Sequence, residues 1–174
     1  MFFTVCKFKI WYNLRLVKGI LKGDFMKNVV LVSNLIEMKL FAEKIAEGVF
    51  PGFVVGLAGD LGAGKTTFTQ FFGKALGIND RINSPTFTIM KHYQGDVFLT
   101  HVDAYRLEDV MEDEGIEEYL DGDGVSVVEW YPYIVKSMPE MFLKIHIELV
   151  SLDIRKITIE GEGSYEAVVS KFGD

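Results

Sequence analysis

The chain has 174 residues, 49% of them hydrophobic and 25% charged, the size and composition of one globular domain able to bury a single core. Its one cysteine, Cys6, rules out an internal disulfide, no stretch approaches the roughly 20 apolar residues of a membrane span, and a reducing cytoplasm is the expected setting. Residues 1–25 hold five bases against one acid while residues 26–174 hold 13 bases and 24 acids, and so acidic a body matches nucleic-acid phosphates poorly; protein partners are expected rather than tight direct RNA binding.

At the N-terminus, residues 1–25 mix charges into every apolar stretch, whereas MKNVVLVSNLIEMKLFAEKIAEG, from Met26, reads as an ordinary domain start. Lys22-Gly23-Asp24 is encodable by AAAGGAGAT, which resembles a bacterial ribosome-binding sequence at a plausible distance from a start codon. The expectation is a non-native or disordered extension over 1–25 and a folded domain over 26–174. Endogenous peptides from 1–25 would overturn it, in favour of a basic, aromatic-rich arm that grips a partner.

Further along, NVVLVS (28–33) reads as a strand, and Asn34 with Glu37 resembles a capping box before a helix over 36–48. Ile36, Leu40, Phe41 and Ile45 are that helix's expected apolar face. FVVGLAG (53–59) is a nearly continuous apolar run that suits a central strand covered on both faces. A helix follows over 66–76, with Gly77 as its terminator. PTFTIMKHY (85–93) and DVFLTHVDAY (96–105) alternate around Gln94-Gly95, a hairpin signal. The acidic stretch 107–124 predicts one or two short helices, VSVVEW (125–130) a buried strand, 141–150 and 153–163 two more strands, and 164–171 a closing helix. The sum is an α/β fold: one domain, a mixed sheet with an antiparallel hairpin, and few flanking helices.

Between the apolar run and the second helix lies Gly59-Asp60-Leu61-Gly62-Ala63-Gly64-Lys65-Thr66, which fits G-x-x-x-x-G-K-[ST]. Glycines there let successive N–H groups wrap a phosphate, and the following helix adds its positive end. Lys65 is placed to reach the β and γ phosphates, and the Thr66 hydroxyl to ligate Mg²⁺. The domain is thus expected to be P-loop NTPase-like, binding a nucleoside triphosphate with Mg²⁺. Such a site needs an acid on a neighbouring strand. Asp103 and Glu129 both end apolar strands, where ligands of open α/β sheets gather, although either also fits a solvated strand terminus. Thr86, in Ser84-Pro85-Thr86, stands where a switch segment would offer a hydroxyl to Mg²⁺ or the γ-phosphate; Ser-Pro-Thr also simply starts strands. Trp130 reads either as core or as a nucleotide or partner contact. His92, His101 and His146 lack metal-ligand spacing and read as packing or surface residues. From Asp103 to Glu129 there are 11 acids and one base, either a solvated helical face or a surface for a basic partner.

With no Asn-Lys-x-Asp guanine reader, ATP is the expected nucleotide. A small-molecule or nucleotide kinase would need arginines for a second anionic substrate, and the chain has only four. The reading preferred is a minimal ATPase serving another protein; a kinase and a scaffold that binds without turnover are its alternatives.

The ordered set GDLGAGKTTF, NSPTFT, HVDAYRL and VVEW resembles the TsaE (YjeE) family, small bacterial ATPases required for threonylcarbamoyladenosine (t6A) formation in tRNA, over residues 26 to about 160. The resemblance implies ATP and Mg²⁺ as cofactors, slow hydrolysis alone, and action on TsaD and TsaB. That pair transfers the threonylcarbamoyl group to the adenosine beside the anticodon in tRNAs reading codons that begin with A. It further implies that Gly59, Asp60, Gly62, Ala63, Gly64, Lys65, Thr66 and Thr67 cradle the phosphates and that Thr66 binds Mg²⁺. Asp103 becomes the Walker B-like acid, Glu129 lies at the metal and the attacking water with Trp130 as companion, and Thr86 is the switch threonine. Asn34 and Leu35 mark the adenine side, and Arg155 is matched to an arginine after the strand of His146. One departure stands out: Tyr131 separates Trp130 from Pro132, where the family has proline directly, so the geometry after Trp130 is left open.

Overall fold

The computed structural model describes residues 16–17, 26–108 and 115–173. Among these residues eight strands form the sheet: β1 (Leu16–Val17), β2 (Met26–Val32), β3 (Val54–Ala58), β4 (Met90–Tyr93), β5 (Leu99–Asp103), β6 (Val125–Glu129), β7 (Leu143–Leu149) and β8 (Arg155–Gly161). Their spatial order is β1-β2-β8-β7-β3-β6-β5-β4. The centre is parallel, with β3 between β7 and β6 and β6 beside β5, while β4 and the β7–β8–β2–β1 side run antiparallel. The mixed α/β architecture expected from the sequence is the one observed. Of the expected 1–25 extension, only Leu16 and Val17 fall among the described residues; Cys6 does not.

The apolar run of β3 is buried from Val54 to Leu57, as a strand covered on both faces must be. On one face the sheet packs against α1 (Leu35–Ala46), α2 (Lys65–Ala75) and α4 (Glu166–Ser170), sharing a core that includes Phe41, Phe68, Phe72, Val55, Leu57 and Val169. A smaller core on the other face joins Val54, Val102 and Val128 to Ile116 and Leu120 of α3 (Ile116–Leu120) and to Ile134, Met138 and Phe142.

Helix α1 starts as expected: Asn34 caps it, accepting the Glu37 N–H at 2.9 Å, and the Glu37 carboxylate reaches back to the Ser33 N–H at 2.7 Å. Its buried stripe differs from the expectation, being Met38, Phe41, Ala42 and Ile45, an i, i+3, i+4, i+7 set. Ile36 and Leu40 lie on its flanks, 63% and 37% exposed.

The hairpin is also shorter than its alternation implied. Only 90–93 pairs with β5, in register Met90↔Val102 to Tyr93↔Leu99. Residues 85–89 form a turn closed by the Thr88 N–H on the Pro85 carbonyl, and Ile89 takes a left-handed φ of 63°. The link over 94–98 is no two-residue turn: Asp96 N–H bonds the Leu76 carbonyl at the end of α2. A Cβ on Gly95 would come within 2.6 Å of that same oxygen, so glycine lets the link lie on the helix end. A 3-10 turn (Tyr105–Leu107) leads into the acidic stretch, which contains α3, and 109–114 fall outside the described residues. No helix among the described residues is long and apolar enough to cross a membrane.

Candidate active site

β3 runs out at Ala58 and the chain must turn sharply into α2. Gly59 does this with φ 141°, its Cα pressed so close to β7 that a Cβ would stand 2.2 Å from the Ile147 carbonyl oxygen. Gly62, at φ 77°, faces open space instead, and Gly64, at φ 114°, precedes the first turn of α2 with no side chain capping it. The N–H groups of that turn are left for an anion, reinforced by the helix dipole.

Lys65 is buried, and its ammonium donates to the carbonyls of Gly59 at 2.7 Å and Asp60 at 2.9 Å while lying 3.7 Å from the ring centroid of Trp130. Burial lowers its pKa below the usual lysine range, opposed by the nearby carboxylates of Glu129, Asp103 and Asp60. The ammonium is therefore held close by the loop's own carbonyls, at the mouth of the anion cradle.

Asp103 and Glu129 are register partners at the ends of the parallel neighbours β5 and β6, both buried. Strand alternation turns both side chains toward α2. Asp103 accepts the hydroxyls of Ser84 at 2.5 Å and Thr86 at 2.7 Å on Oδ2, and the Tyr105 N–H at 3.1 Å on Oδ1. Glu129 accepts the Thr66 hydroxyl on Oε2 at 3.0 Å, and its Oε1 lies 2.9 Å from Nε2 of His101. Trp130 then takes a left-handed φ of 61°, its ring stacked on Tyr133 and tilted against Tyr105, and Tyr131 opens a 3-10 turn through Ser137 with Pro132 in its first turn. The inserted Tyr131 packs its ring on Gly56 of β3 and on Phe142, away from the loop.

Two clefts flank the P-loop and share Gly62, Gly64 and Thr67. One, of about 380 Å³, brings together Lys65, Thr66, Thr86, Asp103, Glu129 and Trp130, with Ser84 and Tyr105. The other, of about 670 Å³, is lined by Asn34, Leu35 and Arg155 together with Ile36 and Leu152. Arg155 ties its floor to the loop, its Nε donating to the Ala63 carbonyl at 3.4 Å. Gly59, Asp60 and Ala63 line neither cleft; Ala63 is buried and Asp60 exposed. Arg81 and Arg106 line neither cleft; Arg106 lies 4.6 Å over the exposed ring of Phe87.

The Thr66 hydroxyl and the carboxylates of Asp103 and Glu129, all lining the first cleft, make a small set of hard oxygen donors. Among the described residues no three His, Cys, Asp or Glu side chains converge to cage a metal. That donor set fits Mg²⁺, which keeps water and takes substrate phosphate oxygens rather than a complete set of protein ligands. Two contributors escaped the sequence reading. His101 reads in the sequence as a packing or surface residue; it is fully buried, and its parity with Asp103 on one alternating strand points it at the site. Ser84 lies in an irregular segment before the turn at 85–89, so no strand parity points it at the site.

A family model described as threonylcarbamoyl adenosine biosynthesis protein TsaE matches residues 32–157. A tRNA threonylcarbamoyladenosine biosynthesis protein TsaE from Bacillus subtilis is 47% identical over 129 residues, 74% of this chain and 82% of the relative. One from Streptomyces coelicolor is 38% identical over 136 residues, 72% and 91% of the two chains. Among solved structures, that of Bacillus subtilis YdiB superposes with a TM-score of 0.71 at 37% identity, covering 84% of this chain and 93% of that one.

Proposed function

The chain belongs to the TsaE family of threonylcarbamoyl adenosine biosynthesis proteins, and from that premise we propose that it binds and hydrolyses ATP, with Mg²⁺, in the cytoplasm, on behalf of a TsaD–TsaB complex that forms t6A in tRNA. The observation that carries the chemistry is the meeting of Lys65, Thr66, Asp103 and Glu129 in one cleft at the mouth of the P-loop. Backbone N–H groups of the loop and the first turn of α2 take the phosphates, and the Lys65 ammonium turns from the Gly59 and Asp60 carbonyls to the β and γ oxygens. Thr66, Glu129 and Asp103 would hold Mg²⁺, whose charge offsets that of the β and γ phosphates when it is bound. Glu129 or Asp103 orients a water for in-line attack on the γ-phosphorus, with ADP as leaving group. Leu35 and Arg155, across the loop, receive the nucleoside end, and Trp130 and Thr86 close the phosphate end.

The absence of Arg81 and Arg106 from the cleft supports slow hydrolysis by the protein alone, because among the described residues no arginine then lines the cleft where charge develops on the γ-phosphate. A partner that supplies such a group would raise the rate. Phosphate release by the purified protein, alone and with TsaD–TsaB, tests this: stimulation by the pair is expected. ATP bound without any phosphate release would point to a scaffold, and label passing to a small-molecule acceptor to a kinase.

A further inference from the structure

We propose that His101 is a positioning residue that holds Glu129 in its working orientation through an Nε2–H donated to Oε1. The proposal rests on the role of Glu129 in ATP hydrolysis given above. The ring is fully buried, with Nε2 2.9 Å from Oε1, while the other carboxylate oxygen, Oε2, receives the Thr66 hydroxyl at 3.0 Å. A carboxylate only accepts hydrogen bonds, so the ring proton must be on Nε2. In the neutral ring Nδ1 is then the acceptor, and it is the buried side-chain nitrogen or oxygen among the described residues that finds no partner. A residue kept for packing alone at this place would be a valine or leucine, as at Leu99 and Val127 on the same face. Burying an imidazole with one nitrogen orphaned is unfavourable, and the hydrogen bond to Glu129 is what the imidazole adds over an aliphatic side chain.

The consequence is a division of labour within one carboxylate. His101 fixes Oε1 against the sheet, which leaves Oε2 aimed at the first turn of α2, where Thr66 and the phosphates lie. Without that anchor the side chain has other rotamers open to it, and Oε2 is no longer held at the distance the chemistry requires.

Two measurements test the assignment. Long-range ¹H–¹⁵N spectra of the full-length protein report the tautomer without recourse to activity: protonated Nε2 and bare Nδ1 are expected, with the Nε2–H signal displaced in E129A. The opposite tautomer, or a signal indifferent to E129A, overturns the proposal. Kinetics then use H101Q, whose amide nitrogen lies as many bonds from Cβ as Nε2 does, beside H101N and H101L, which place no donor there. With TsaD–TsaB present, H101Q should keep kcat within about threefold of wild type, and H101N and H101L should lose roughly 10- to 100-fold in kcat with ATP affinity nearly unchanged. If H101L unfolds, H101N carries the comparison. Wild-type rates in H101N, or an H101Q as slow as H101N, refute the positioning role. A wild-type protein that releases no phosphate under any condition instead overturns the ATPase reading, and leaves the tautomer result standing.

Discussion

Asp103 is bound to its surroundings in a way that lets its charge be separated from its structural role. Replacing it with alanine strips acceptors from three donors: the Ser84 and Thr86 hydroxyls on Oδ2 and the Tyr105 N–H on Oδ1. Ser84 and Thr86 are half-buried and Tyr105 is exposed, so water partly replaces what is lost. Three bonds at a net ~0.5–1.5 kcal/mol each give a loss of about 1.5–4.5 kcal/mol. For a domain of this size that corresponds to a fall in Tm of roughly 3–18 °C. Asparagine is different. Its Oδ1 still accepts from Tyr105, and its two amide hydrogens can each meet one hydroxyl once those hydroxyls reverse their roles. Asp103→Asn should therefore melt within a few degrees of wild type while losing ATP hydrolysis by on the order of 100-fold or more, because only the negative charge has gone. Thermal unfolding and phosphate release on both variants check this. An Asn variant that melts as low as the Ala variant refutes the bond accounting, and wild-type turnover in either refutes the role of the charge.

Other expectations follow from the same geometry. Lys65→Ala and Glu129→Ala should each abolish measurable ATP turnover, checked by phosphate release with protein whose unfolding is verified. Chelating divalent cations should stop phosphate release and adding Mg²⁺ should restore it, since protein oxygens alone do not neutralise the phosphates. Tyr165→Phe keeps the ring against Phe50 and Phe53 but strands the buried Val54 N–H that its oxygen accepts at 3.0 Å, so urea unfolding should show a loss of about 1–3 kcal/mol. Burial also raises the Tyr165 pKa, so above pH ~10 the unfolded chain loses that proton first. Wild-type stability should then fall as pH rises past ~10, and fall less steeply in Tyr165→Phe.

Those elements that depend on local chemistry could be read directly from the residues. The continuous apolar run of β3, the Asn34 cap, the glycine spacing of the loop and the strand-end acids each have one cheap physical solution, and the structure adopts it. Where tertiary packing chose between near-equal options, the reading slipped. Ile36 and Leu40 are as apolar as Met38 and Ala42, and only the angle at which α1 meets the sheet decides which pair is buried. The alternation at 85–93 suggests a long strand, yet hydroxyls at Ser84 and Thr86 bond Asp103 instead, and the turn at Ile89 ends β4 at Met90. The site followed the same pattern. Lys65, Thr66, Asp103 and Glu129 were legible from spacing because each lies at the edge of a regular element. His101 was not, because a histidine in a buried strand looks like packing until the carboxylate across from it is placed.

The central claim, that ATP hydrolysis at Glu129 serves t6A formation, is tested most directly by multiple-turnover tRNA modification. TsaD–TsaB would be supplied with ATP, the threonylcarbamoyl donor and tRNA, and with either the wild-type protein or Glu129→Ala verified to bind ATP. Sustained modification with wild type, and arrest after no more than about one turnover per complex with the variant, is the expected result. Sustained modification with Glu129→Ala at the wild-type rate would contradict the account.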